Sequence, residues 1–423
     1  MAWHPRDRWP WNAAMSRREM LRLTAGTAVA GSVLAACGGN GGGAKRGSNG
    51  QGVVIGTPQE PVEQPLFDDL PAIDSNLEPE GGPLRLYNWA DYIWRPVLKD
   101  FEKEYGVKVE LTTFYNLEEA TRKLRTGDLK FDVFFPTAEV IPKFVAGRLL
   151  QPLNHDYLGN LKKNIWPRLV DPYYDVGSRY TVPYVLYQTG LAWRVDMIED
   201  DIAGMDNPWE AFWNPDYEGL VGLYDDYRET IGVGMYRNGI TDINSARPDD
   251  VEAAKNSLIE LTDAVNIRYT IDGAYVRLPE GKLGLHHAWS GDIVNAQYYF
   301  PKGGDPSVLR YTWPPHGSFN GGYISNDSMA IPVGAENPVL AHHFLNYMLD
   351  ARHSMKNFSW LGYQPPLTEL DPDSLVKDGL VPKELSTAVI RQEDFGKGQA
   401  PVQLTPSEDA AWLKAWSQVQ SGG

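Results

Sequence analysis

Cys37 is the only cysteine in the 423-residue chain. No intramolecular disulfide can form, and thiol-based zinc and redox motifs are excluded. The fold must therefore be held by apolar burial. The composition allows this, with 42% apolar and 22% charged residues, proportions typical of an ordinary folded protein. The length suits two to three domains at ~150 residues each. Basic residues number 39 and acidic residues 55, a formal charge of −16. That balance argues against gripping a phosphate backbone and is compatible with a cationic ligand.

The position of the cysteine adds a second constraint. Residues 16–21 read Ser-Arg-Arg-Glu-Met-Leu. A weakly apolar run containing Gly26 and Gly31 follows, and it closes on Leu34-Ala35-Ala36-Cys37. A charged start, a short apolar stretch and small residues before a cut site form a secretory signal. The run is too short and too rich in Gly and Ala to span a membrane comfortably. The paired arginines resemble a twin-arginine (Tat) export signal, with Met20 where such signals usually carry Phe. Leu-Ala-Ala-Cys resembles the bacterial lipoprotein box, whose cysteine is lipidated. Residues 1–36 are accordingly expected to be a signal peptide. Residues 37–83, beginning with the lipidated Cys37 and rich in Gly, Pro, Gln and Asn, are expected to be a flexible tether.

Periodic segments begin at residue 84. Leu84-Arg85-Leu86-Tyr87 reads as a strand, and residues 96–105 as a helix burying Val97, Leu98, Phe101 and Tyr105, stopped by Gly106. Residues 107–111 alternate as a strand does. Asn116 can cap a helix ended by Gly127, Asp132-Val133-Phe134-Phe135 reads as a buried strand, and Thr137 can cap the next helix. This strand–helix alternation specifies a parallel sheet covered by helices, in which ligands sit at the carboxyl ends of strands. Further on, Asp249 can cap a long helix, residues 283–288 and 329–332 read as strands, and Pro338 opens a helix.

Enzyme signatures are missing from the sequence: no Gly-rich phosphate loop ending in Lys-Ser/Thr, no Gly-x-Ser-x-Gly and no His-Glu-x-x-His. His286-His287 and His342-His343 are adjacent, so their side chains diverge and do not suggest a shared metal. Three sets of aromatic rings beside carboxylates stand out instead. They are Asn88-Trp89-Ala90-Asp91-Tyr92, Asp225-Asp226-Tyr227-Arg228-Glu229 and Trp289-Ser290-Gly291-Asp292. Each follows a segment that reads as a strand. Ring faces attract organic cations by ~0.5–2 kcal/mol, and carboxylates hold ammonium groups through charge-assisted hydrogen bonds. Rings along the walls with acids at the ends fit an elongated, multiply charged amine. Taken singly, each set could equally be core packing and a helix cap.

These runs, in this order, resemble the spermidine/putrescine-binding proteins of bacterial ABC importers. The similarity covers about residues 84–400. It includes Leu86-Tyr87-Asn88-Trp89-Ala90-Asp91-Tyr92, Phe131-Asp132-Val133-Phe134-Phe135-Pro136-Thr137, Tyr180-Thr181-Val182-Pro183-Tyr184, Asp327-Ser328-Met329-Ala330-Ile331-Pro332 and Gly362-Tyr363-Gln364-Pro365. The resemblance implies an α/β, two-lobed periplasmic-binding-protein fold of the type II, Venus-flytrap kind, each lobe a mixed sheet flanked by helices. It implies a first lobe of residues 84–187 and 290–335 and a second of 188–289 and 336–423. The ligand would lie between them, with Trp89 and Trp289 stacking on its methylenes and Tyr92 near one end. Asp91, Asp226, Glu229 and Asp292 would take its amines. Thr137 matches a family serine, and Asp327 and Gln364 match polar positions. Glu139 stands where members often have an aromatic residue, and Asn326 and Tyr275 sit near positions that are often aromatic.

The resemblance thus implies a lipid-anchored, extracytoplasmic solute-binding protein that is not an enzyme and needs no cofactor or resident metal. Its partners would be a polyamine, the permease subunits of an ABC importer and the membrane through Cys37. Nucleic acid is not expected as a partner, and the chain would be a monomer. Other readings stay open at this level. The ligand could be another small cation: a single amine, a betaine, a thiamine-like molecule, or ferric ion held by adjacent tyrosines such as Tyr298-Tyr299 or Tyr173-Tyr174. The chain could also be an extracytoplasmic hydrolase, or a polyamine sensor without transport.

Overall fold

Strand β1 (Leu84–Trp89) buries Leu84, Leu86 and Tyr87 completely. It lies between two parallel partners, β2 (Val109–Phe114) and β3 (Val133–Phe134). The crossovers are α1 (Arg95–Tyr105) and α2 (Leu117–Thr126). Helix α1 buries Val97, Leu98 and Phe101 and stops at Gly106, whose φ of +69° suits a residue without a side chain. Helix α2 starts at Asn116, whose side chain accepts a hydrogen bond from the Glu119 amide at 2.8 Å. The expected parallel unit is therefore present. The computed structural model describes residues 52–127, 130–314 and 322–422. Cys37 and the expected signal peptide lie outside them.

The remaining strands are β4 (Thr181–Arg194), β5 (Val221–Leu223), β6 (Arg268–Tyr269), β7 (Leu285–Trp289), β8 (Leu309–Thr312) and β9 (Tyr323–Ala330). The sheet order is β2-β1-β3-β9-β4-β7-β5-β6, with β8 branching from β4. Strand β4 joins two parallel groups. Its first part, residues 181–189, runs antiparallel to β9, and residues 189–193 run antiparallel to β7. Beyond β7, the strands β5 and β6 are again parallel. The covering helices include α3 (Tyr227–Arg237), α4 (Pro248–Val265), α5 (Ser290–Asn295), α6 (Pro338–Met348), α7 (Ala351–Leu361) and α8 (Pro406–Ser421).

Several sequence expectations change. Helix α4 begins at Pro248, so Asp249 sits in its first turn and complements the helix dipole instead of capping it. The Thr137 side chain caps no backbone amide; its hydroxyl donates to Glu139 Oε1 at 2.6 Å. Residues 52–83 of the expected tether are instead fastened to the body. Gln64, fully buried, donates from Nε2 to the carbonyls of Val54 and Tyr174 at 3.0 and 2.8 Å. Val62 exchanges backbone bonds with Tyr173 and Val176, Asn154 donates to the Ile73 carbonyl, and Glu80 accepts from the Leu340 amide. Composition alone reads this Pro-rich stretch as tether, because its bonds run to distant backbone rather than within a periodic element.

Packing also departs from the expected division at residues 290 and 336. Helix α5 continues directly from β7 and packs on β4, and β8 pairs with residues 191–194 of β4. Helices α6 and α7 pack against the 155–164 segment and α1.

Candidate functional site

The carboxyl ends of β1, β3, β5 and β7 all open on one cavity of about 930 Å³. This is the place where a parallel sheet offers backbone and loop side chains to a ligand. Trp89, Asp91 and Tyr92 reach the cavity from the turn after β1, and Thr137 and Glu139 from the turn after β3. Asp226 and Glu229 come from the start of α3, Trp289 and Asp292 from the junction of β7 with α5, and Asp327 from β9. Of the expected ligand residues in the fold, all but Gln364 line this one space. Gln364 instead exchanges two hydrogen bonds with the Ile390 backbone, at 2.8 and 3.0 Å. Asn326 also faces away, donating to the Tyr174 hydroxyl at 2.7 Å.

Asp292 is buried behind a ring wall. Its Oδ1 accepts from the Tyr363 hydroxyl at 2.7 Å and its Oδ2 from the Tyr224 hydroxyl at 2.8 Å. Tyr224 stacks on Trp289 with centroids 4.0 Å apart and accepts from the Trp289 amide at 3.0 Å. The Trp289 indole donates to Glu229 Oε1 at 2.6 Å, and Thr189 donates to the same oxygen at 3.2 Å. On the other wall, Tyr92 donates to Asp327 Oδ2 at 2.5 Å. The Trp89 indole donates to the Phe135 carbonyl at 3.1 Å, which fixes its ring beside the cavity. Asp226 caps α3, accepting from the amides of Arg228 and Glu229 at 2.9 and 3.0 Å. Asp91 is exposed and holds a φ of +53°, a left-handed conformation that Asp tolerates better than most residues.

The buried acids hold their protons unusually firmly. Burial pushes Asp292 up to about 7, against the opposing pull of the two tyrosine hydroxyls. Burial pushes Asp327 to about 8, aided by the charge of Glu139 and opposed by the Tyr92 hydroxyl. Glu229 also rises to about 8, through burial and then the charge of Asp226, while Trp289 and Thr189 work the other way. Glu139 is raised by burial, with the Thr137 hydroxyl and the charge of Arg228 opposing. Each is the response of a carboxylate removed from water without a counter-cation.

The sequence reading missed four tyrosines. Tyr187, Tyr323 and Tyr363 line the cavity, and Tyr224 stands behind it. Tyr187 and Tyr323 lie inside buried strands, where no local pattern separates a cavity wall from core. Tyr363 was within reach, since it adjoins Gln364 in a run already singled out. The lining also includes Arg122, Arg125, Lys143 and Arg228.

Among the described residues there is no group of three or more His, Cys, Asp or Glu suited to a metal ion. The adjacent tyrosines do not supply one either. Tyr173 donates to the Pro401 carbonyl and Tyr298 to the Ser359 carbonyl, and burial raises the phenols of Tyr173, Tyr174, Tyr298 and Tyr299, which opposes phenolate formation. No helix among the described residues is long and apolar enough to cross a membrane.

Residues 97–383 match the family described as bacterial extracellular solute-binding protein. The spermidine/putrescine-binding periplasmic protein of Escherichia coli is 27% identical over 288 residues, covering 68% of this chain and 78% of that protein. The putrescine/agmatine-binding protein of Pseudomonas aeruginosa is 29% identical over 355 residues, covering 80% of this chain and 92% of that protein. A solved structure described as a putative spermidine/putrescine ABC transporter from Listeria monocytogenes superposes with a TM-score of 0.68 at 26% identity, covering 80% of this chain and 98% of that one. The architecture is that of the periplasmic binding proteins.

Proposed function

The chain belongs to the bacterial extracellular solute-binding proteins, and from that premise we propose that it captures a polyamine and hands it to the permease of an ABC importer without catalysing a reaction. One observation carries the choice of ligand: Glu139, Glu229, Asp292 and Asp327 line one ring-walled cavity, and burial raises the pKa of each. An alkylammonium chain resolves that situation. Its charged ends replace the protons through charge-assisted hydrogen bonds, and its methylenes lie on aromatic faces. The names of the relatives from E. coli and P. aeruginosa, for spermidine, putrescine and agmatine, support the same class.

In this reading Trp89 and Trp289 flank the methylene chain and Tyr92 closes one end. Asp292, Glu229 and Asp327 are the inner counter-charges, with Asp91 and Asp226 nearer the entrance. Thr137 acts through Glu139. The first lobe comprises residues 52–187 together with β9, α6 and α7. The second lobe comprises residues 188–314 and the segment after residue 362. Closure bends β4 where it passes between the lobes.

Outside the folded body, the proposal places a lipid on Cys37 after twin-arginine export, leaving a monomer attached to the outer face of the cell membrane. Cys37→Ser is expected to abolish membrane attachment while amine binding persists; a variant that still sediments with membranes would overturn the anchor. The ligand is tested by isothermal titration of the full-length chain with putrescine, cadaverine, spermidine, spermine, thiamine, glycine betaine and ferric citrate. Tight binding confined to polyamines is expected. Binding of thiamine, betaine or ferric citrate instead would replace the polyamine reading.

A further inference from the structure

Among the described residues, two carboxylates that line the cavity each keep one buried oxygen without a hydrogen-bond donor: Glu139 Oε2 and Asp327 Oδ1. The other inner acids differ. Both oxygens of Asp292 accept a tyrosine hydroxyl, and Glu229 Oε1 accepts the Trp289 indole and the Thr189 hydroxyl. A buried carboxylate oxygen without a donor is costly. An ammonium group of the ligand is a donor that can satisfy it.

Glu139 is held for such a role. It sits in the tight turn Ala138–Val140 that follows β3. The Thr137 hydroxyl occupies its Oε1, so Oε2 is the free acceptor. The bridge between Thr137 and Asp327 ties this turn to β9, bringing the two orphaned oxygens into one neighbourhood. The charges of Glu139, Asp327 and Glu229 all act on the phenol of Tyr187, which also lines the cavity. Asp292 neighbours Asp91, Tyr275 and Tyr299, and it shares Tyr92 with Asp327.

Arg122, Arg125, Lys143 and Arg228 line the cavity, and the charge of Arg228 acts on Glu139. The Arg228 guanidinium donates to the Val402 carbonyl and to Asn244 Oδ1 and stacks 4.8 Å from the Trp412 ring. Those bonds anchor it in the wall. It moderates the charge of Glu139 without donating to it. Two ammonium groups, one at Asp292 and one at Glu229, would leave Glu139 and Asp327 uncompensated.

On the polyamine reading above, we propose that Glu139 and Asp327 form an additional ammonium position, so that the cavity selects an alkylamine with three or more charges over a diamine.

Isothermal titration of the full-length chain at fixed ionic strength tests this with putrescine, spermidine and N1-acetylspermidine, which keeps the length of spermidine but loses one charge. Wild type should bind spermidine more than about tenfold tighter than putrescine or N1-acetylspermidine. Glu139→Gln should weaken spermidine by about tenfold or more and change putrescine by less than about threefold. Equal weakening of spermidine and putrescine, an unchanged spermidine affinity, or a wild type that prefers putrescine would overturn the assignment. If Glu139→Gln does not fold, the comparison of spermidine with its acetylated form on wild type decides alone. Failure of every amine to bind wild type refutes the polyamine reading itself, a result distinct from losing the preference between amines.

Discussion

Tyr363 reaches Asp292 across a backbone position that tolerates no side chain. Its hydroxyl donates to Asp292 Oδ1 at 2.7 Å, and its ring lies where a Cβ on Gly291 would come within 2.1 Å of it. The Gly291 hydrogen is therefore what lets the phenol lie against the first turn of α5. The pair links two distant parts of the chain and sets which oxygens of Asp292 are occupied before any ligand arrives.

Replacing Gly291 with Ala should cost about 1–3 kcal/mol of stability through overpacking, read as a lower urea midpoint. The Tyr363–Asp292 bond should go with it, and spermidine affinity should fall. In a Tyr363→Ala background the same substitution should cost little. An equal cost in both backgrounds would mean that Tyr363 is not the obstacle.

Asp292→Asn should weaken amine binding by about 2–5 kcal/mol, because a desolvated ammonium loses its counter-charge and the amide oxygen replaces only one of the two acceptors that Tyr363 and Tyr224 use. Titration calorimetry measures this directly. Unchanged affinity would remove Asp292 from the ligand's partners.

Ligand affinity and the stability of the empty protein should respond to pH with opposite signs. Asp292 titrates near 7, and Asp327 and Glu229 near 8, all raised from ordinary carboxylate values of 3.8 to 4.5. Acids raised in the folded state stabilise it fully below their unfolded values, near pH 4, and that stabilisation is lost as pH rises through 7 to 8. The melting temperature of the empty protein should carry this downward contribution. Ammonium binding requires the ionised carboxylates, so affinity should rise over the same interval and protons should be released. Calorimetry in buffers of different ionisation enthalpy counts those protons, and zero release near pH 7 would contradict the assignment.

Gln64→Ala should destabilise the protein by about 1–3 kcal/mol. It removes the donor shared by the Val54 and Tyr174 carbonyls, and neither residue lines the cavity. Amine affinity should be unchanged at temperatures where the variant is folded. A variant with wild-type stability would show that the 52–83 segment contributes nothing to the body.

The sequence carried the site further than it carried the packing. The places of Trp89, Asp226, Glu229, Trp289 and Asp292 at the cavity were legible because each stands at or just after the carboxyl end of a strand, where a parallel sheet opens to a ligand. Helix boundaries marked by Asn116, Gly106 and Gly127 were legible for the same local reason. Tyr187 and Tyr323 were not, since alternation inside a strand buried on both faces carries no sign of which side is hollow. Gln64 was not, because a hydrogen bond spanning 110 residues leaves no local trace. Gln364 was misassigned from a run whose cavity-facing member is its neighbour Tyr363.

Strand β4 gives hydrogen bonds to β9 over one stretch and to β7 and β8 over the next, within 14 continuous residues. A cut near residue 188 would leave raw strand edges on both fragments. The two lobes are thus not interchangeable modules. A chimera that borrows one lobe from a relative must inherit a compatible ladder along β4, not merely a linker of suitable length, and heating should melt the whole body in one transition.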